Sequence, residues 1–130
     1  MLELYGGGGG TSRRISSSGY TGGASCQHYD SISLTKGDTI NIVVGSGAKG
    51  RNDGETTSFG SYSVSGGGGS STSVAGQGAG NYGAAGKRVN IDETFNSYGT
   101  GKLSTTYGFG ASTATITGGN GAVYLNYLGA

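Results

Sequence analysis

Apolar residues in this chain recur at every second position, in short runs set apart by glycine. Leu2 and Leu4 share one face of an opening segment that ends at Tyr5. Ile32 and Leu34 alternate with Ser31, Ser33 and Thr35, and Ile40, Ile42 and Val44 alternate with Thr39, Asn41 and Val43. Period two marks extended strands, whose side chains point to opposite faces in turn. Between the last two runs, Lys36-Gly37-Asp38 has the length of a hairpin connection, so the pattern predicts a hairpin over about 29–44. Shorter alternations follow at Tyr62 and Val64, and at Ala114 and Ile116. The closing run 122–128 is apolar on both faces, which predicts a central strand.

Glycine tracts separate these runs, at 6–10, 45–50, 66–69, 76–86 and 118–121. Within the fourth, Gly80, Gly83 and Gly86 are spaced by three. A left-handed helix of the polyproline-II type has three residues per turn and no internal hydrogen bonds. A glycine face on such a helix lets neighbouring backbones approach and bond to one another. Flexible linkers are the commoner use of Gly/Ser tracts. These tracts instead carry Ala, Tyr and Val and never lengthen into a uniform linker.

Composition narrows the class. Of 130 residues 31 are Gly, and Pro and Trp are absent. A helical bundle is excluded, since each interior Gly would cost about 1 kcal/mol relative to Ala. Collagen is excluded by the missing Pro and the missing three-residue register. Disorder is disfavoured by nine Tyr, three Phe and a net charge of only +1. That charge also leaves no footprint for nucleic acid or an anionic membrane. The single Cys26 forms no intrachain disulfide. The result is one domain spanning 1–130, with a thin hydrophobic core and a fold specified largely by backbone hydrogen bonds. Opening directly in a strand, the chain reads as a piece cut from a longer protein.

Motifs for catalysis do not assemble. Residues 45–50 match G-x-G-x-x-G after a strand, but the helix and the downstream acid of a dinucleotide site are missing. His28 is the only histidine and lies two residues from Cys26, with nothing to complete a triad. As metal ligands the two are half of a usual set. Neither enzymatic activity nor a cofactor is expected.

Three segments lack glycine tracts and are polar and bulky: 11–18, 51–57 and 87–107. They hold ten of the fifteen charged residues. Binding residues concentrate on loops carried by a scaffold. The third segment also gathers Phe95, Tyr98 and Tyr107, and Gly99-Thr100-Gly101 would fold it back as a long hairpin with aromatics near the tip.

The order of these segments resembles a known family. Leu2-Glu3-Leu4-Tyr5 runs into Gly6–Gly10, followed by Leu34-Thr35-Lys36-Gly37-Asp38-Thr39-Ile40-Asn41-Ile42-Val43-Val44-Gly45-Ser46-Gly47. Thr57-Ser58-Phe59-Gly60-Ser61-Tyr62 and Gly66–Gly69 come next, and Gly118-Gly119-Asn120-Gly121-Ala122-Val123-Tyr124-Leu125 closes the chain. The set is similar to the glycine-rich domain at the distal ends of bacteriophage tail fibres, and more loosely to the glycine-rich ectodomain of anaplastic lymphoma kinase receptors.

The resemblance implies packed polyglycine-II helices, but the tracts here are shorter and more interrupted and the strands more evident, so the expected fold is all-β: a small antiparallel β-sandwich-like domain with polyglycine-II-type segments, long polar loops and no helix. It implies a non-catalytic receptor-binding domain at the virion's fibre tip, touching a bacterial surface protein or glycan, with no membrane insertion. Other fibre subunits are implied partners, and tail fibres are commonly trimeric, although no heptad here demands it. The contact loops would contribute Arg13, Arg14, Arg51, Asp53, Lys87, Arg88, Asp92, Phe95, Tyr98, Lys102 and Tyr107. A purely structural fibre module and an extracellular adhesion or signalling domain of a cellular protein are the alternative readings.

Overall fold

Strand β1 (Leu2–Tyr5) is buried on both faces and holds the middle of a sheet. A computed structural model describes residues 1–13, 17–91, 93, 95–99, 107–112 and 117–127. The further strands are β2 (Gly19–Tyr20), β3 (Gln27–Tyr29), β4 (Ile42–Val43), β5 (Thr57–Phe59), β6 (Tyr62–Val64), β7 (Arg88–Val89) and β8 (Ala122–Leu125). They form three small antiparallel sheets, ordered β3-β1-β8, β2-β7 and β4-β5-β6. The described residues contain no helix. This is a small all-β domain.

The first and third sheets share the hydrophobic core. Leu2 and Leu4 from β1 meet Phe59 and Val64 from β5 and β6, and Ile32, Leu34, Ile40 and Val123 close in as partly buried neighbours. Glu3, on the opposite face of β1, is also fully buried. Its carboxylate accepts from the Tyr5 hydroxyl and lies 2.6 Å from Nδ1 of His28, whose Nε2 is 3.0 Å from the exposed Asp30 carboxylate. A buried charge is tolerable only when paired in this way.

Below the sheets the chain changes its means of cohesion. Tract 6–10 is surrounded by 22–25, 45–48, 52–55, 66–70, 108–111 and 118–121. The N–H groups of Gly7, Gly8, Gly9 and Gly10 donate in turn to the carbonyls of Glu55, Gly119, Gly23 and Asn52, at 2.8–3.0 Å. Their own carbonyls accept from Gly67, Ala48, Ala111 and Ser70. Partners recur every third residue: Gly7 and Gly10 both donate to 52–55 and both accept from 67–70. That is a threefold extended helix of the polyglycine-II type, with every backbone group directed outward to a neighbour. Stretch 22–26 repeats the arrangement, with N–H donors to Ala111, Gly68, Ala84, Gly108 and Ala79. A Cβ at Gly8 would run into the Phe109 carbonyl oxygen, and one at Gly9 into that of Gly68. Gly80, Gly83 and Gly86 do not form a single leg as their spacing predicts: the chain reverses between 79 and 84, with Gly80 at φ 79° against the Cys26 carbonyl, Gly83 against that of Ala79 and Gly86 against that of Thr21.

The legs of this lattice alternate in direction. Stretches 6–10, 45–48, 66–70, 84–87 and 108–111 run one way, and 22–25, 52–55, 76–79 and 118–121 run back. The domain therefore has two ends: a sheet end, with the first and third sheets, and a turn end, with the β2-β7 pair.

Three sequence expectations change. The turn at 35–38 forms, with the Asp38 N–H donating to the Thr35 carbonyl and Gly37 at φ 91°, but no strand ladder joins its limbs. Ile32, Leu34 and Ile40 lean on the core instead, and the backbone of Ile42 and Val43 pairs with β5. The closing strand β8 is an edge, not the centre. Its two faces are covered by side chains: Val123 joins the core, and the Tyr124 ring meets Tyr5 and Tyr107 edge-on. The described parts of segment 87–107 do not protrude as one hairpin, and Thr100 and Gly101 of the expected fold-back lie outside the described residues. Arg88–Val89 pairs with β2, and Ser97 bridges Gly110 within the lattice. The strand expected around Ala114 and Ile116 lies outside the described residues.

Candidate functional site

The turn end gathers chain segments that are distant in sequence. Arg13 ties them. Its side chain is buried, and its guanidinium donates to the carbonyls of Ser17 at 2.9 Å, Ser112 at 2.8 Å and Asn90 at 2.8 Å. The rigid planar fork of arginine suits such multiple donation. Beside it, the hydroxyls of Thr11 and Ser70 both donate to the Tyr20 carbonyl, at 2.7 and 2.8 Å. Five separate stretches, around residues 12, 20, 70, 90 and 112, are thus locked together by side chains bonding to backbone.

Three described acidic side chains are committed to the scaffold. Asp53 Oδ1 accepts from the Gly69 N–H at 2.8 Å, Glu55 Oε1 from the Ser46 N–H at 2.9 Å, and Glu93 Oε1 from the Asn90 N–H at 2.9 Å. Each satisfies a backbone donor at the margin of the lattice, where no further leg is available to accept it.

The basic residues are differently placed. Arg51 and Arg88 are exposed, and Lys87 is exposed with its Nζ 4.2 Å from the centroid of the half-buried Phe95 ring. That cation–π contact fixes both side chains at the surface. Val74 and Ile91 stand out into solvent at 58% and 63% exposure, on turns at the same end. Sequence reasoning passed over both. The available signal was a lone branched apolar residue inside an otherwise polar turn, as in Ser71-Thr72-Ser73-Val74.

The expected contact residues therefore separate. Arg51, Asp53, Lys87, Arg88 and Phe95 all lie on the turn-end side, where Lys87 and Phe95 are in contact and Asp53 is bonded to the Gly69 N–H, whereas Arg13 is withdrawn as a buried brace. Tyr98 lies along the flank, 46% exposed, with its ring 6.0 Å from that of Phe109. Tyr107 belongs to the sheet end, 6.2 Å from Tyr124. Arg14, Asp92 and Lys102 lie outside the described residues.

The described residues hold no group of three or more His, Cys, Asp or Glu able to bind a metal. Cys26 is buried and His28 is engaged with Glu3 and Asp30. Comparison with protein-family models, with curated proteins and with solved structures found no match for this chain.

Proposed function

We propose that this chain is a non-catalytic receptor-binding domain carried at the tip of a phage tail fibre, outside the cell, and that its turn end meets a bacterial surface protein or glycan. The observation that carries this reading is the division of labour at that end. Cohesion comes from backbone bonds and from the Arg13 brace, so Arg51, Val74, Lys87, Arg88 and Ile91 contribute little to stability and remain available for contact. A surface of that kind can change its side chains without unfolding the scaffold. Weak contacts suffice, because several fibres on one particle multiply the effective concentration. Arg and aromatic anchors are also the residues on which interfaces concentrate their energy.

Binding of the fluorescently labelled domain to intact cells across a strain panel tests the reading. Saturable binding to some strains, lost in a receptor-deletion mutant, is the expected outcome. The double variant Arg51→Ala/Arg88→Ala then binds at least about tenfold more weakly, near 1.4 kcal/mol, with an unchanged melting temperature. Attachment to no strain, or attachment indifferent to this surface, overturns it.

A further inference from the structure

The sheet end carries a cleft that none of the turn-end residues line. Its volume is about 240 Å3, and it opens between the excursion 30–41 and the β5-β6 hairpin. The two walls are joined, since the Gly60 N–H donates to the Asn41 carbonyl at 2.9 Å. Gly60, at φ 58°, makes the tight turn that lifts Ser61 to the rim. The cleft is thus built before any ligand arrives.

Its lining divides by chemistry. Leu34, Ile40 and Phe59 give an apolar floor that continues the core. Tyr62 forms a wall, its ring held edge-on by Tyr29 with centroids 5.0 Å apart. The rim is polar, with the hydroxyls of Ser33, Thr35, Thr39 and Ser61 and the carboxylate of Asp38. None of these rim groups has a side-chain partner among the described residues. Asp38 is nevertheless well placed, because its own N–H is bonded into the 35–38 turn at 3.1 Å.

Such a lining selects its ligand. An apolar guest would strand the rim hydroxyls against carbon, and an anion would face Asp38. A pyranose matches both surfaces: its C–H face covers an aromatic or aliphatic floor, and its hydroxyls exchange hydrogen bonds with the rim. Two adjacent sugar hydroxyls can donate to the two oxygens of one carboxylate. The volume falls below the roughly 300–1,000 Å3 of sites that engulf drug-sized ligands, which fits one ring rather than an oligosaccharide.

We propose that this cleft binds a single neutral pyranose unit, with Asp38 accepting from its hydroxyls and Tyr62 flanking the ring. That the sugar belongs to a bacterial surface glycan rests on the function proposed above; the sugar chemistry itself rests on the cleft.

The test is an amide-resolved NMR titration of the intact domain with methyl glycosides of glucose, galactose, mannose, N-acetylglucosamine and rhamnose. At least one shifts the Gly60 and Ser61 amides saturably, with a Kd on the order of millimolar. Asp38→Ala, in an exposed turn, weakens that sugar by at least about tenfold, while Lys49→Ala, outside the cleft, leaves it unchanged. If no glycoside perturbs the cleft, or if Asp38→Ala titrates like the parent, the inference is wrong. Cell attachment separates the two proposals. Attachment that persists with no sugar in the cleft sinks the cleft alone, and sugar binding without attachment to any strain sinks the fibre-tip reading alone.

Discussion

The two halves of this domain are held by different physics. At the sheet end, Leu2, Leu4, Phe59 and Val64 exclude water from one another, and stability follows the apolar area they bury. In the lattice around 6–10 there is almost no side chain to bury. There the backbones themselves touch, and the N–H and C=O groups of Gly7 to Gly10 find their partners on the surrounding legs, the same leg recurring every third residue. The sheet end is sensitive to what a substitution removes. The lattice is sensitive to what a substitution adds.

The sharpest way to break that comparison is Gly8→Val. The new side chain would collide with the Phe109 carbonyl oxygen, and that leg cannot retreat without losing bonds on its other sides. We expect a loss of more than about 4 kcal/mol, enough to leave little folded protein, read by chemical denaturation. A fully folded variant would show that the central legs are not in contact. In the parent protein, the amides of Gly7 to Gly10 should exchange slowly with solvent deuterium despite their glycine content.

Removal is the corresponding injury at the sheet end. Leu4→Ala should cost about 3 kcal/mol, through lost burial and the cavity left behind. His28→Ala should cost a similar ~3 kcal/mol, because it strips a partner from the fully buried Glu3 carboxylate. Equal thermal stability of either variant and the parent would contradict the placement of the core.

Smaller effects sharpen the distinction within the glycines. Gly37 has nothing within 4 Å of an added Cβ, but it sits at φ 91°. Gly37→Ala should therefore cost only ~1–2 kcal/mol, the strain of a left-handed residue, and leave the amide spectrum otherwise intact. Arg51→Ala, at the turn end, should change stability by no more than about 0.5 kcal/mol. A larger loss there would mean that the side chain belongs to the scaffold, as Arg13 does.

Period-two runs located β1, β6 and β8 because alternation is a local property of the chain. The spacing of Gly80, Gly83 and Gly86 pointed to a threefold helix, but the chain reverses between 79 and 84, and the threefold legs formed at 6–10 and 22–25 instead. The hairpin over 29–44 failed because the partner of a strand is not a local property: β5 lay closer to Ile42 and Val43 than Ile32 and Leu34 did. Segments 11–18, 51–57 and 87–107 were visible as charged stretches free of glycine tracts. Their internal assignments were not, since nothing around Arg13 distinguishes a guanidinium that braces three turns from one that faces a receptor.

By itself, then, the sequence determined the class of fold, the thinness of its core and the places where backbones had to touch. These follow from residue type alone, because only glycine omits the Cβ that would hold two chains apart. The tertiary structure decided which legs are neighbours, which end gathers the turns, and which polar side chains close the lattice rather than meet solvent. Those outcomes depend on bonds between residues far apart in the chain, such as Arg13 to Ser112 and Gly8 to Gly119, whose formation no local pattern encodes.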